Sequence, residues 1–169
     1  MHLNHAIEND CITKANIISN DTDIIIIAMS LFSQLKQKGL HELWISFGTS
    51  KKKRWFPIHS MVEKFGFLKS QGLLFFHAFS GCDNISGFRG KGKKSFFQTW
   101  NVFPNVTKTF IKLSTFPVTL EEKDLTILEN FIVYLYDKSA SSQSINVTRK
   151  KLLLKRIPSM TCYLQQVKP

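Results

Sequence analysis

The chain has 169 residues, a net charge of +11, 43% apolar residues and 15 phenylalanines. That is enough to bury one ordinary core, and too apolar for a disordered chain. No apolar run reaches the ~18 residues that cross a bilayer, no basic-then-apolar leader opens the chain, and the three widely spaced cysteines, Cys11, Cys82 and Cys162, make neither a disulfide framework nor a zinc knuckle.

The reading is therefore an intracellular protein with no disulfide-linked and no membrane partner. The charge is uneven. Residues 1–40 hold three Lys or Arg against four acids, residues 41–94 ten against three, and residues 95–169 ten against five. A basic surface that begins just after a small acidic centre suits a polyanion, so nucleic acid is the expected partner and the nucleus the expected place. The plain alternative is a protein with many solvated lysines.

Residues His2 to Thr13 have a thin apolar pattern and read as the end of a helix. Asn16 to Ser19 is short and β-branched and reads as a buried strand. Ile24 to Phe32 is a longer apolar run that turns polar before Gly39, which reads as a buried helix closed by a glycine. Between strand and helix stand Asp21 and Asp23, at the carboxyl end of the strand, where open α/β sheets bind their ligands. Two carboxylates so placed can share a hard cation. They can equally be no more than a helix start, since Asp is a common N-cap.

Leu43 to Phe47 reads as a strand and Arg54 to Ile58 as its hairpin return, with Pro57 marking an edge. Lys51, Lys52, Lys53 and Arg54 stand at the hairpin tip, with Trp55 and Phe56 behind them. Such a run can grip a phosphate backbone and stack a base, although adjacent aromatics are more often core. Ser60 and Glu63 have capping-box spacing for a short helix ending near Gly66. Gln71 to Phe79 reads as one further helix. A loop carrying Asp83 follows, then Gly87-Phe-Arg-Gly-Lys-Gly-Lys-Lys-Ser95 and a helix over Lys93–Trp100. Gly87, Gly92 and Lys93 fit the glycines and lysine of a Walker A loop. Lys94 stands where the hydroxyl should be, however, and no strand precedes, so a nucleotide hydrolase is set aside. Helices are expected over Asn105–Leu113 and after a second capping box at Thr119–Glu122. The latter should carry Leu120, Ile127, Leu128, Phe131, Ile132 and Leu135 on one side. A basic helix over Asn146–Arg156 and a tail from Pro158 complete the expectation.

Asp-Thr-Asp after a strand, Gly-Cys-Asp sixty residues later and the Gly-Phe-Arg-Gly-Lys-Gly-Lys-Lys turn resemble, in that order, the C-terminal half of the flap-endonuclease-type 5′ nucleases. The chain as a whole, with Leu43-Trp-Ile-Ser-Phe-Gly-Thr and Phe76-His-Ala-Phe-Ser-Gly-Cys-Asp, also resembles a group of uncharacterised animal proteins that often look transposon-associated. The resemblance implies an α/β, PIN-like, three-layer sheet that is incomplete at the N-terminus and followed by a helical C-terminal part. Its implied divisions are a nuclease-type region over residues 1–103 with a helix–two-turn–helix-like turn at 83–100, a helical extension over 104–157 and a tail over 158–169. It further implies that Asp21, Asp23 and Asp83 converge as catalytic ligands of Mg²⁺ or Mn²⁺. Arg89, Gly90, Lys91, Gly92, Lys93 and Lys94 would hold a nucleic-acid backbone, DNA in the family, around a K⁺ ion at the Gly90–Gly92 turn.

Two-metal hydrolysis clamps the ions ~3.5–4 Å apart on the scissile phosphate. Three aspartates are few ligands for two ions. Glu8 would add a fourth carboxylate only if the first helix ran back over the metal loop. The expectation is thus a nucleic-acid-binding domain of nuclease type that cuts poorly or not at all. The alternative is a non-catalytic nucleic-acid-binding module that uses only its basic surfaces.

Overall fold

A computed structural model describes residues 2–48, 52–83, 85, 87–115 and 118–138. It is α/β: among the described residues, eight helices accompany one three-stranded mixed sheet. The chain divides into two compact units. One comprises Met1–Arg89 with Thr107–Val118, the other Gly90–Val106 with Thr119–Pro169.

The first unit is built on β1 (Lys14–Ser19), α2 (Thr22–Gln37) and β2 (Glu42–Phe47), preceded by α1 (His2–Asp10). β1 and β2 are parallel, with Ile17 opposite Ile45 and Ile18 opposite Ser46. The sequence dictates both ends of α2. Asp21 caps its start. At its end Gly39 takes φ +111°, Gly39 N–H donates to Lys36 O, and Leu40 N–H reaches back to Leu35 O. This Schellman closure needs a residue free to adopt positive φ, and it tucks Leu40 beside Leu35, both buried. β3 (Arg54–Pro57) runs antiparallel to β2 and ends the sheet, as Pro57 requires.

α3 (Ile58–Phe65) leaves β3 without an intervening loop and packs on β2, with Ile58 and Val62 fully buried. α2 is the hub of this unit. It packs against α3, α4 (Phe67–Gln71) and α5 (Leu73–Phe79), with Phe32 wholly enclosed. α7 (Val106–Leu113) falls to this unit from Thr107 onward. The Phe110 ring centroid lies 5.4 Å from that of Phe75, the planes tilted by 45°, and Ser114 Oγ accepts a bond from Phe75 N–H.

The second unit holds α6 (Lys93–Val102) and α8 (Glu122–Tyr136). Phe96, Trp100 and Phe131 are fully buried, with the Phe96 and Phe131 rings 5.8 Å apart.

Several element boundaries differ from the sequence reading. Helix α3 starts at Ile58 with Pro57 at its cap, so Ser60 lies inside the first turn and makes no capping box. Its partner Glu63 instead lies 3.9 Å from Lys36 on α2. The Gln71–Phe79 helix is divided: α4 ends at Gln71, and Gly72 separates it from α5. Helix α8 has its capping box two residues later than expected. Glu121 is the cap, and the buried Asp124 carboxylate accepts Glu121 N–H at 3.1 Å. Leu120 therefore precedes the helix and is 50% exposed instead of joining its apolar side. Lys51, the Asn146–Arg156 helix and the tail from Pro158 lie outside the described residues.

Candidate nucleic-acid interface

The carboxyl end of β1 is where the chemistry gathers. Asp21 N–H donates to Ser19 Oγ at 3.1 Å, and Asp21 Oδ1 accepts Asp23 N–H at 2.9 Å. Asp21 thus satisfies one of the open backbone donors of α2, and Asp23 lies in its first turn, where the helix dipole favours negative charge. The structure supplies Asp23 with a partner that the sequence reading did not assign. His77 Nε2 on α5 is buried and lies 3.1 Å from Asp23 Oδ1 without forming a hydrogen bond. A lone histidine within Leu73-Leu-Phe-Phe-His-Ala-Phe79 was the available signal.

The cap makes a direct test. Asp21→Ala should cost about 0.5–2 kcal/mol of stability, whereas Asp21→Asn, which keeps the acceptor, should cost only a few tenths. Urea unfolding of the two variants measures the difference. Equal losses would mean that the carboxylate charge, not the cap, is what matters at this position.

Asp83 occupies a separate loop. Backbone bonds between Cys82 and Ile85 close it, and its two ends touch: a Cβ on Gly81, at φ +95°, would lie 2.7 Å from Gly87 Cα. Asp83 itself is exposed. Glu8 sits away from the acid pair. Its Oε1 lies 2.7 Å from Lys38 Nζ, beyond the last turn of α2. Sixteen helical residues at ~1.5 Å each put that end about 24 Å from Asp21. The first helix thus does not run back over the acid loop, and the Lys38 ammonium, which holds the Glu8 carboxyl below the usual range, is its partner.

Mg²⁺ takes oxygen ligands ~2.1 Å away in a near-octahedral shell. Asp21 is engaged as a cap and Asp23 faces an imidazole. Among the described residues, no group of three or more His, Cys, Asp or Glu is disposed to hold a metal.

The basic hairpin tip shares this end of the sheet. Gly48 N–H, the first donor after β2, binds Asn20 Oδ1 at 3.0 Å, and Asn20 immediately precedes Asp21. The turn is close, because a Cβ on Gly48 would lie 2.8 Å from Lys52 O. Lys52, Lys53, Arg54 and Trp55 are all exposed. The two aromatics behind the tip part company. Phe56 turns inward, edge-on to Phe47 at 6.2 Å, while Trp55 is 51% exposed with Lys53 Nζ 5.0 Å from its ring centroid. Arg89 closes the first unit. Gly90, Lys91, Gly92, Lys93 and Lys94 belong to the second, where Gly90 takes φ +72°, Gly92 caps α6 and Lys91 Nζ rests 5.2 Å from the Tyr136 ring centroid.

Among the described residues, no helix is long and apolar enough to cross a membrane, and Cys11 and Cys82 are free thiols. Compared with known protein families, with curated proteins and with solved structures, the chain matches none.

Proposed function

We propose that this chain binds nucleic acid, DNA by preference, through the end of the sheet that carries both the hairpin tip and the acid pair. We further propose a PIN-like, 5′-nuclease-type ancestry for the domain and a nuclear location. The observation that carries the reading is the Asn20–Gly48 hydrogen bond. It ties the cationic tip Lys52–Arg54 to the carboxyl end of a parallel strand, the usual ligand end of an α/β sheet. Phosphates would meet Lys52, Lys53 and Arg54. Gly90–Lys94 would supply a second basic contact, with K⁺ at that turn.

Metal-dependent hydrolysis is the second reading. The acid pair beside the tip favours it, with Mg²⁺ or Mn²⁺ on Asp21 and Asp23 once Asp83 or another carboxylate completes the set. Fluorescence anisotropy with labelled oligonucleotides at low salt tests binding, and the same mixtures with Mg²⁺ or Mn²⁺ test cutting. Binding without cleavage is the expected result. Absence of binding at low salt would reject the first reading, and cleavage abolished by Asp83→Ala would promote the second.

A further inference from the structure

Period-two alternation sorts the sheet residues onto two faces. The register places Ile18, Ser46 and Trp55 in one row across all three strands, on the same face. The row is not covered at its ends. Ile18 is 73% exposed and Trp55 51% exposed, while the small Ser46 between them is buried, its Oγ without a hydrogen-bond partner among the described residues. Lys14 and Asn16, on the same face of β1, are exposed as well. A half-exposed Trp and a nearly bare Ile on one sheet face leave apolar area in water that a flat apolar partner would cover.

The surroundings identify the chemistry of that occupant. Lys53 Nζ already rests on the Trp55 ring, Lys52 is exposed just before it in the chain, and Arg54, exposed too, falls by alternation on the opposite face. An aromatic plate with a cation resting on it complements a ligand that is aromatic and anionic at once. We infer that this row is a stacking platform for an unpaired nucleic-acid strand, with a base on Trp55 and the adjoining phosphates on Lys52 and Lys53. A duplex fits it poorly, because its bases are already stacked on one another and only its phosphates could be met. DNA and RNA strands share the chemistry used here, a base face and a phosphate. The inference rests on the nucleic-acid reading above and narrows it to the unpaired form.

The full chain is titrated at low salt with oligo(dT), oligo(U) and a duplex of equal length. Variants are Trp55→Ala, Trp55→Phe and Ile18→Ala, all at exposed positions where folding is not at stake. The expected result is that at least one single strand binds more tightly than the duplex. The tighter of the two names the natural strand. Trp55→Ala should weaken single-strand binding by about 5- to 100-fold, with Trp55→Phe restoring most of it and duplex binding nearly unmoved. A duplex bound as tightly as the tighter single strand, or single-strand binding indifferent to Trp55→Ala, would overturn the platform while leaving the nucleic-acid reading intact. Failure of all three ligands to bind would reject both.

Discussion

Replacing Lys52, Lys53 and Arg54 together by alanine should lower affinity for nucleic acid by about a hundredfold at ~0.1 M salt and flatten its salt dependence. Each phosphate neutralised adds about −0.9 to the slope of log affinity against log salt on duplex DNA and about −0.7 on a single strand. Three cations each meeting one phosphate therefore account for about two to three units of slope. The side chains are exposed, so the triple variant should fold as the parent does. Anisotropy titrations across a range of salt give both slopes. A parent with a flat response would show that the +11 charge is only a solvated surface. A steep parent with an unchanged variant would move the contact elsewhere, to Arg89 or Lys91–Lys94.

Phe32→Ala should cost the first unit about 3–5 kcal/mol, a large share of the ~5–15 kcal/mol typical of a whole domain. Phe32 is fully enclosed near the middle of α2, the helix on which α3, α4 and α5 all pack, and its ring centroid lies 6.5 Å from that of His59. Truncation removes the burial of an aromatic ring and leaves a void that four helices cannot close without moving. Ile18→Ala provides the contrast. The same kind of truncation at a 73% exposed position should shift stability by no more than about 0.5 kcal/mol. Urea unfolding followed by far-ultraviolet circular dichroism compares the two. Similar midpoints for both variants would refute the assignment of Phe32 to the core.

What the sequence revealed and what it hid have separate physical causes. The order and bounds of the β1–α2–β2 unit were legible because its signals are local and agree, although β1 is not the buried strand expected but is exposed at every second residue. Asn16-Ile-Ile-Ser is β-branched, Asp21 is a strong cap, and Gly39 is free to take the positive φ that ends the helix. The misplaced helix starts arose from the same kind of signal read alone. Ser60 and Thr119 have the right spacing to Glu63 and Glu122, but a strand ending in Pro57 had already turned the chain into α3, and Glu121 with Asp124 formed the box of α8. Which of Trp55 and Phe56 faces water was also hidden, because sheet register decides it and register depends on Ser46, nine residues away. The contacts from His77 to Asp23 and from Asn20 to Gly48 span 54 and 28 residues. No periodicity or local motif reports contacts of that separation.

The mixed pairing of the sheet also sets an order in time. The strands β2 and β3 meet across short separations, Phe47 to Arg54 being seven residues apart, whereas β1 meets β2 only across twenty-eight, Lys14 to Glu42. A fourfold longer loop costs about 1.2 kcal/mol more to close. The hairpin should therefore zip early and β1 should dock late, once α2 has formed behind it. The Asn20–Gly48 bond belongs to that late step. Acids and cations thus start on independently moving pieces of chain, and the last event of folding in this unit makes them neighbours. The reverse holds on opening. In hydrogen exchange, the amides of β1 that bond to β2 should lose protection before those joining β2 to β3. The opposite order would mean that the hairpin, and with it the basic tip, is the looser part.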